Sequence, residues 1–230
     1  SDDQRAPGNT NDLRGKILRI HPEDDGTYTI PEGNLFPQGT EKTRPEIYTM
    51  GHRNPWRPTL DSKTGYLYWG EVGPDASKDS IWGPRGYDEF NQAKGPGFFG
   101  WPYFIGDNIP YNRHDLETDT YGEPFDVNKP VNESVNNTGL VDLPTPVIPA
   151  MIWYPYGVSE QFPILGSSGR SATGGPVFRK ADFRSDAPYV FPAYYEGKWL
   201  LVDFMRGWIM SVTMDGNGDF ESMERFLPNE

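Results

Sequence analysis

Glycine and proline together fill 49 of the 230 positions, 26 and 23 respectively, and they recur along the whole chain. Glycine loses the most backbone freedom on folding, and proline removes a donor and clashes with the preceding helical turn, so breakers at this density exclude an all-α fold. No segment longer than about ten residues keeps a convincing 3.6-residue period. The alternative is a chain of short strands separated by turns. Aromatic residues supply the large side chains for its core, with 7 Trp, 13 Tyr and 13 Phe. That content excludes a disordered chain, and the length suits one domain or two small ones.

Other classes fall to charge and composition. A formal net charge of −12 and a sequence pI near 4.7 repel phosphate backbones and anionic lipid surfaces, so neither nucleic acid nor a membrane surface is an expected partner. No window approaches 18 consecutive apolar residues, which excludes a helical membrane span. Zero cysteines exclude disulfides, thiolate zinc sites and cysteine nucleophiles. Residues 1–5 lack an apolar signal core, so any targeting signal is removed or lies outside this sequence.

Residues 1–14 read as a polar N-terminal arm and 15–230 as one β domain. Strands are expected at Gly15-Lys16-Ile17-Leu18-Arg19-Ile20-His21, Glu46-Ile47-Tyr48-Thr49-Met50, Tyr66-Leu67-Tyr68-Trp69 and Asp88-Glu89-Phe90-Asn91-Gln92-Ala93. Residues 103–147 are rich in proline, Asn and Asp without periodicity, and read as a long irregular insertion that is functional or faces a partner. Toward the end, runs at 199–202, 208–214 and 220–226 make a three-stranded antiparallel meander. In the middle run Trp208, Met210, Val212 and Met214 share one face. Sandwich, barrel and propeller all fit short strands. Two loosely similar units, near 46–102 and 147–227, favour a β-propeller of four-stranded antiparallel blades.

Three places offer chemistry. At Gly51-His52-Arg53-Asn54-Pro55 a guanidinium and an amide stand side by side, able to grip a planar, oxygen-rich ligand. The plainer reading is a surface ion pair and a capped turn. Glu71-Val72-Gly73-Pro74-Asp75, with Asp88-Glu89 following, offers carbonyls and carboxylates that suit Ca²⁺ better than a transition metal, against a plain reading of a tight turn with solvated acids. Phe204-Met205-Arg206-Gly207 puts a cation at a hairpin tip, where a solvated turn residue is the commoner case. Asp215-Gly216-Asn217-Gly218-Asp219 imitates the opening of a calcium loop but lacks its closing Glu, and reads as a hairpin turn. Of the histidines only His52 lies near a constellation. Asn132-Glu133-Ser134 and Asn136-Asn137-Thr138 match glycosylation sequons.

Taken in order, Gly-His-Arg-Asn-Pro at 51–55, Glu71-Val72-Gly73-Pro74, Asp88-Glu89-Phe90-Asn91 and Phe99-Gly100-Trp101-Pro102 resemble the glucose/sorbosone dehydrogenase family, the soluble pyrroloquinoline-quinone (PQQ) sugar dehydrogenases. The likeness is dense over 46–102 and loose over 147–227. It implies about two to three blades of a six-bladed β-propeller, with PQQ over its central channel. Carried over by motif, Arg53 and Asn54 would contact the quinone oxygens, with Arg206 facing the same cofactor. The carbonyls of Gly73 and Pro74 would bind the Ca²⁺ that polarises PQQ. Glu89 and the Phe99 carbonyl, with Asp107, would bind a second, structural Ca²⁺. The implied reaction is hydride transfer from the anomeric carbon of an aldose to the quinone.

The departures point another way. The family's catalytic histidine comes from a blade before the Gly-His-Arg-Asn segment, and nothing in residues 1–45 resembles that blade, so no catalytic base is assigned. His52 belongs to the motif itself. The lysine beside the family's hairpin arginine is here Met205. Two readings therefore stand. One is a PQQ- and Ca²⁺-dependent sugar dehydrogenase with only part of its site in this chain. The other is a non-catalytic, calcium-stabilised propeller module for carbohydrate binding or extracellular assembly. In both, further chain or partner subunits complete the ring, and the resemblance implies an extracytoplasmic location.

Overall fold

The computed structural model describes residues 2–226. Ser1 of the expected arm and residues 227–230 of the expected domain lie outside the described residues. The chain is all-β. Its only helical elements among those residues are four short 3₁₀ turns, Asp3–Arg5, Pro163–Leu165, Lys180–Asp182 and Ala193–Tyr195. It divides into two units, one of Ser1–Asn54, Asp75–Gly86 and Gly95–Ala150, the other of Pro55–Pro74, Tyr87–Lys94 and Met151–Glu230.

The second unit contains two four-stranded antiparallel blades. In the first blade the strands run Ile152–Tyr154, Asp88–Ala93, Leu67–Glu71, Pro55–Leu60 from edge to edge. The second blade runs Ala172–Thr173, Trp199–Asp203, Trp208–Met214, Phe220–Arg225. Aromatic rings knit the two together: Trp199 meets Tyr68 at 4.9 Å and Phe90 at 5.8 Å, and Trp208 meets Phe90 and Tyr154, each at 6.2 Å. Trp208, Met210 and Val212 face this core as the period of two requires. Ser211, on the opposite face, is buried as well.

Glycine makes the blade contact possible. A Cβ at Gly70 would stand 2.4 Å from the Ala172 carbonyl oxygen, and one at Gly174 2.5 Å from that of Arg57. The backbones meet directly there, and the Gly174 N–H donates to the Trp56 carbonyl at 3.2 Å.

The expected 46–102 repeat is not one blade. Ile47–Met50 belongs to the first unit, in a sheet with Lys16–Leu18 (antiparallel) and Gly97–Phe98 (parallel). The 55–93 blade instead takes its fourth strand from Ile152–Tyr154, beyond the insertion. Residues 103–147 contribute Tyr103, Phe104, Phe125, Leu143 and Val147 to the first unit's core, around Ile47, Met50 and Phe98. The opening segment packs onto the same unit. Asn132 Nδ2 donates to the Gln4 and Gly8 carbonyls, each at 3.0 Å, and Thr10 is fully buried.

Candidate functional site

In the first unit, Arg53 and Asn54 emerge from a braced corner. Gly51 adopts a φ of 82°, and a Cβ there would meet the Phe98 ring at 2.6 Å. The Met50 carbonyl accepts the Phe99 N–H at 2.8 Å, and the Gly51 carbonyl accepts the Trp101 N–H at 3.1 Å. His52 is buried, with Nε2 2.8 Å from Thr49 Oγ1 and its ring 5.6 Å from that of Phe99. Immediately after this fixed segment Arg53 and Asn54 are exposed. The Arg53 guanidinium stands 6.0 Å from the centre of the Trp101 ring. A cation, an amide and an aromatic face on one rigid corner suit a planar ligand rich in oxygen.

Gly73 and Pro74 lie in the second unit, where their turn is closed by groups of the chain itself. Arg170 Nη2 donates to the Pro74 carbonyl at 2.7 Å, and Arg170 Nη1 lies 3.0 Å from Asp88 Oδ1. Asp88 Oδ1 also accepts the Gly73 N–H at 3.1 Å, while its Oδ2 accepts the Ala172 N–H at 2.8 Å. The Arg170 guanidinium stacks 4.0 Å from the centre of the Tyr156 ring. Burial pushes the Asp88 carboxyl upward, and the Ala172 N–H and the Arg170 charge oppose that shift. A divalent ion on the Pro74 oxygen would face a guanidinium on the same atom, and like charges so close in a buried site repel strongly. The turn as folded does not fit Ca²⁺.

Arg206, also in the second unit, spends its guanidinium on main-chain oxygens. Nε donates to Gly169 at 2.9 Å, Nη1 to Leu165 at 3.0 Å and Gly166 at 2.8 Å, and Nη2 to Pro155 at 2.6 Å. It is a tether for the 155–169 segment. Its own N–H donates to Asp203 Oδ1 at 2.8 Å, and Asp203 Oδ2 accepts the Tyr154 hydroxyl at 2.6 Å. Burial, followed by the Asp203 and Asp88 charges, pushes the Tyr154 phenol well above its ordinary value.

The residues expected around a second ion divide between the units. Glu89 is buried in the second unit, where its Oε2 accepts the Asn91 amide at 3.1 Å. Phe99 is buried and Asp107 exposed in the first. Among the described residues no group of three or more His, Asp or Glu assembles that could hold a metal ion. Sequence reasoning missed Arg170, Asp88 in its pairing role, Asp203 and Tyr154. Arg170 had one visible signal, a lone cation within Ser167-Ser168-Gly169-Arg170-Ser171-Ala172, where small neighbours leave room for a large buried side chain.

Four-stranded antiparallel blades joined through an aromatic core define the β-propeller class. The chain belongs to the glucose/sorbosone dehydrogenase family, whose model matches residues 1–139. It is similar to two proteins of Arabidopsis thaliana. HIPL2 is 33% identical over 119 residues, 46% of this chain and 16% of that protein, and HIPL1 is 29% identical over 208 residues, 83% and 25%. Among solved structures it resembles one from Thermus thermophilus described as a putative oxidoreductase (glucose dehydrogenase), at TM-score 0.52 and 20% identity, covering 96% of this chain and 44% of that one. It also resembles the soluble aldose sugar dehydrogenase of Escherichia coli in its apo-form, at TM-score 0.51 and 16% identity, covering 96% and 47%. At such identity the likeness is one of fold. The chain spans less than half of each solved structure and a quarter or less of each curated relative.

Proposed function

We propose that this chain supplies part of a sugar dehydrogenase whose corner at residues 51–54 receives PQQ. The observation that carries the reading is the pair of exposed polar side chains, Arg53 and Asn54, projecting from a braced backbone beside Trp101. When bound, PQQ would accept the hydride that leaves the anomeric carbon of an aldose. Arg53 would donate two charge-assisted hydrogen bonds to the ligand's oxygens and Asn54 one more, and the Trp101 ring would offer an apolar face. The rigid corner limits the entropy lost on binding. Arg206 keeps its structural place as a positioning residue for the 155–169 segment, and no step is assigned to calcium at Gly73–Pro74. Further chain or a partner subunit would complete the propeller and supply the base. No helix of the described residues is long and apolar enough to cross a membrane, and the extracytoplasmic location remains part of this proposal.

The test is titration of the full-length protein with PQQ, followed by tryptophan quenching, and then dye reduction with several aldoses. Arg53→Ala should weaken PQQ binding roughly tenfold to a hundredfold, the worth of a charge-assisted pair. Absence of PQQ binding by the wild type would end the proposal. A second reading, a non-catalytic module that binds carbohydrate or docks in an assembly, is favoured by one observation: Arg206 is already committed to carbonyls, and Met205 beside it is an exposed apolar residue. Sugar binding without quinone binding would select it.

A further inference from the structure

We infer that Arg170 is the resident cation of the Gly73–Pro74 turn, doing there what a bound divalent ion would otherwise do, so that this turn is calcium-independent. The inference goes beyond the quinone proposal and stands whether or not PQQ binds at the first unit's corner. Three observations carry it. The guanidinium faces both groups that a cation would seek: Nη2 donates to the Pro74 carbonyl at 2.7 Å, and Nη1 stands 3.0 Å from the Asp88 carboxylate as an ion pair without hydrogen-bond geometry. Both side chains of the ion pair are 1% exposed, so it is sealed from competing water and ions. Both carboxylate oxygens are engaged as well, because Asp88 also takes the Gly73 and Ala172 N–H groups.

A Cβ at Gly73 would stand 1.8 Å from the Tyr87 carbonyl oxygen, so its backbone already lies against 87–88. Arginine suits the task because its planar guanidinium can face two partners at once while its face stacks on Tyr156. Unlike a metal, it cannot be chelated away.

The test is local hydrogen exchange in the full chain, read on peptides covering residues 71–76 and 86–91, in millimolar Ca²⁺ and in EDTA. In the wild type the two conditions should give the same exchange. Arg170→Gln leaves Asp88 and the Pro74 oxygen uncovered. It should speed exchange there roughly tenfold in EDTA and lower the thermal midpoint by about 10 °C. Calcium should slow exchange in that variant. Arg170→Lys, which keeps the charge but loses the fork, should fall between the two in EDTA. Slower exchange of these peptides in calcium for the wild type would overturn the inference, and so would unchanged exchange in Arg170→Gln. Should that variant fail to fold, the wild-type comparison alone decides the matter, and none of these readouts depends on quinone binding.

Discussion

Asp61, at the turn between the Pro55–Leu60 and Leu67–Glu71 strands, takes both Nε and Nη2 of Arg179, each at 2.7 Å, and also the Thr64 hydroxyl at 2.7 Å. Its side chain is fully buried and that of Arg179 nearly so. The guanidinium, aided by the hydroxyl, holds the Asp61 carboxyl down at about 2, against an ordinary value of 3.8. A carboxylate depressed on folding stabilises the native state above its unfolded value, and that contribution is lost as pH falls through the folded one. The stabilisation should be complete above about pH 4 and gone near pH 2, and worth about 2 kcal/mol. Asp61→Asn should therefore lower the urea midpoint at neutral pH, with the gap to wild type closing below about pH 4. A gap that stays constant down to about pH 2 would show that the pair contributes no pH-dependent stability.

At the level of elements, the blade-to-blade contact hangs on Gly70. Its absent side chain lets the Leu67–Glu71 strand lie against Ala172 and Gly174, with the nearest heavy atom 2.4 Å from where a Cβ would be. That atom is backbone and cannot rotate away, so Gly70→Ala should cost about 3 kcal/mol, measured as a fall in denaturant midpoint at unchanged slope. A loss below about 1 kcal/mol would mean the blades can separate there without penalty. The same strands show how far sequence carries. Trp208–Met214 was legible because apolar residues recur at every second position, and Asp88–Ala93 because the Gly95-Pro96-Gly97 break bounds it, while the aromatic-glycine punctuation pointed to blades. Pro55–Leu60 was not, because Pro55 and Pro58 argue against a strand. It survives as an edge strand with a register shift between Trp56 and Thr59, where Arg57 sits at a φ of 52°. Ile152–Tyr154 is three residues long, too short for a period, and joins its blade across the insertion. In the candidate site the Arg53-Asn54 corner was legible as a local motif. Arg170 was not, because its partners are remote in the chain, Pro74 by 96 positions and Asp88 by nearly as many, and spacing does not reveal which buried carboxylate a lone arginine will meet.

At the scale of the whole molecule, two features would oppose pairing of copies of the chain through their open sheet edges. One is global: a net charge of −12 sets like-charged copies against each other, an effect that salt weakens. The other is local, on the Phe220–Arg225 edge strand, which presents Glu221 and Arg225 to solvent and a Glu224 that pairs with Lys198 at 2.8 Å. Charges on an edge strand make continuation of the ladder by a second copy costly. Phe220 and, on the neighbouring strand, Ile209 are exposed alongside, so apolar surface lies next to these charges. Glu221→Val should shift the sedimentation of the chain toward dimers and larger species, more strongly as salt is raised, while leaving the thermal midpoint nearly unchanged because the residue is exposed. If the variant sediments as the wild type does at every salt concentration, the charged edge is not what keeps the strand unpaired.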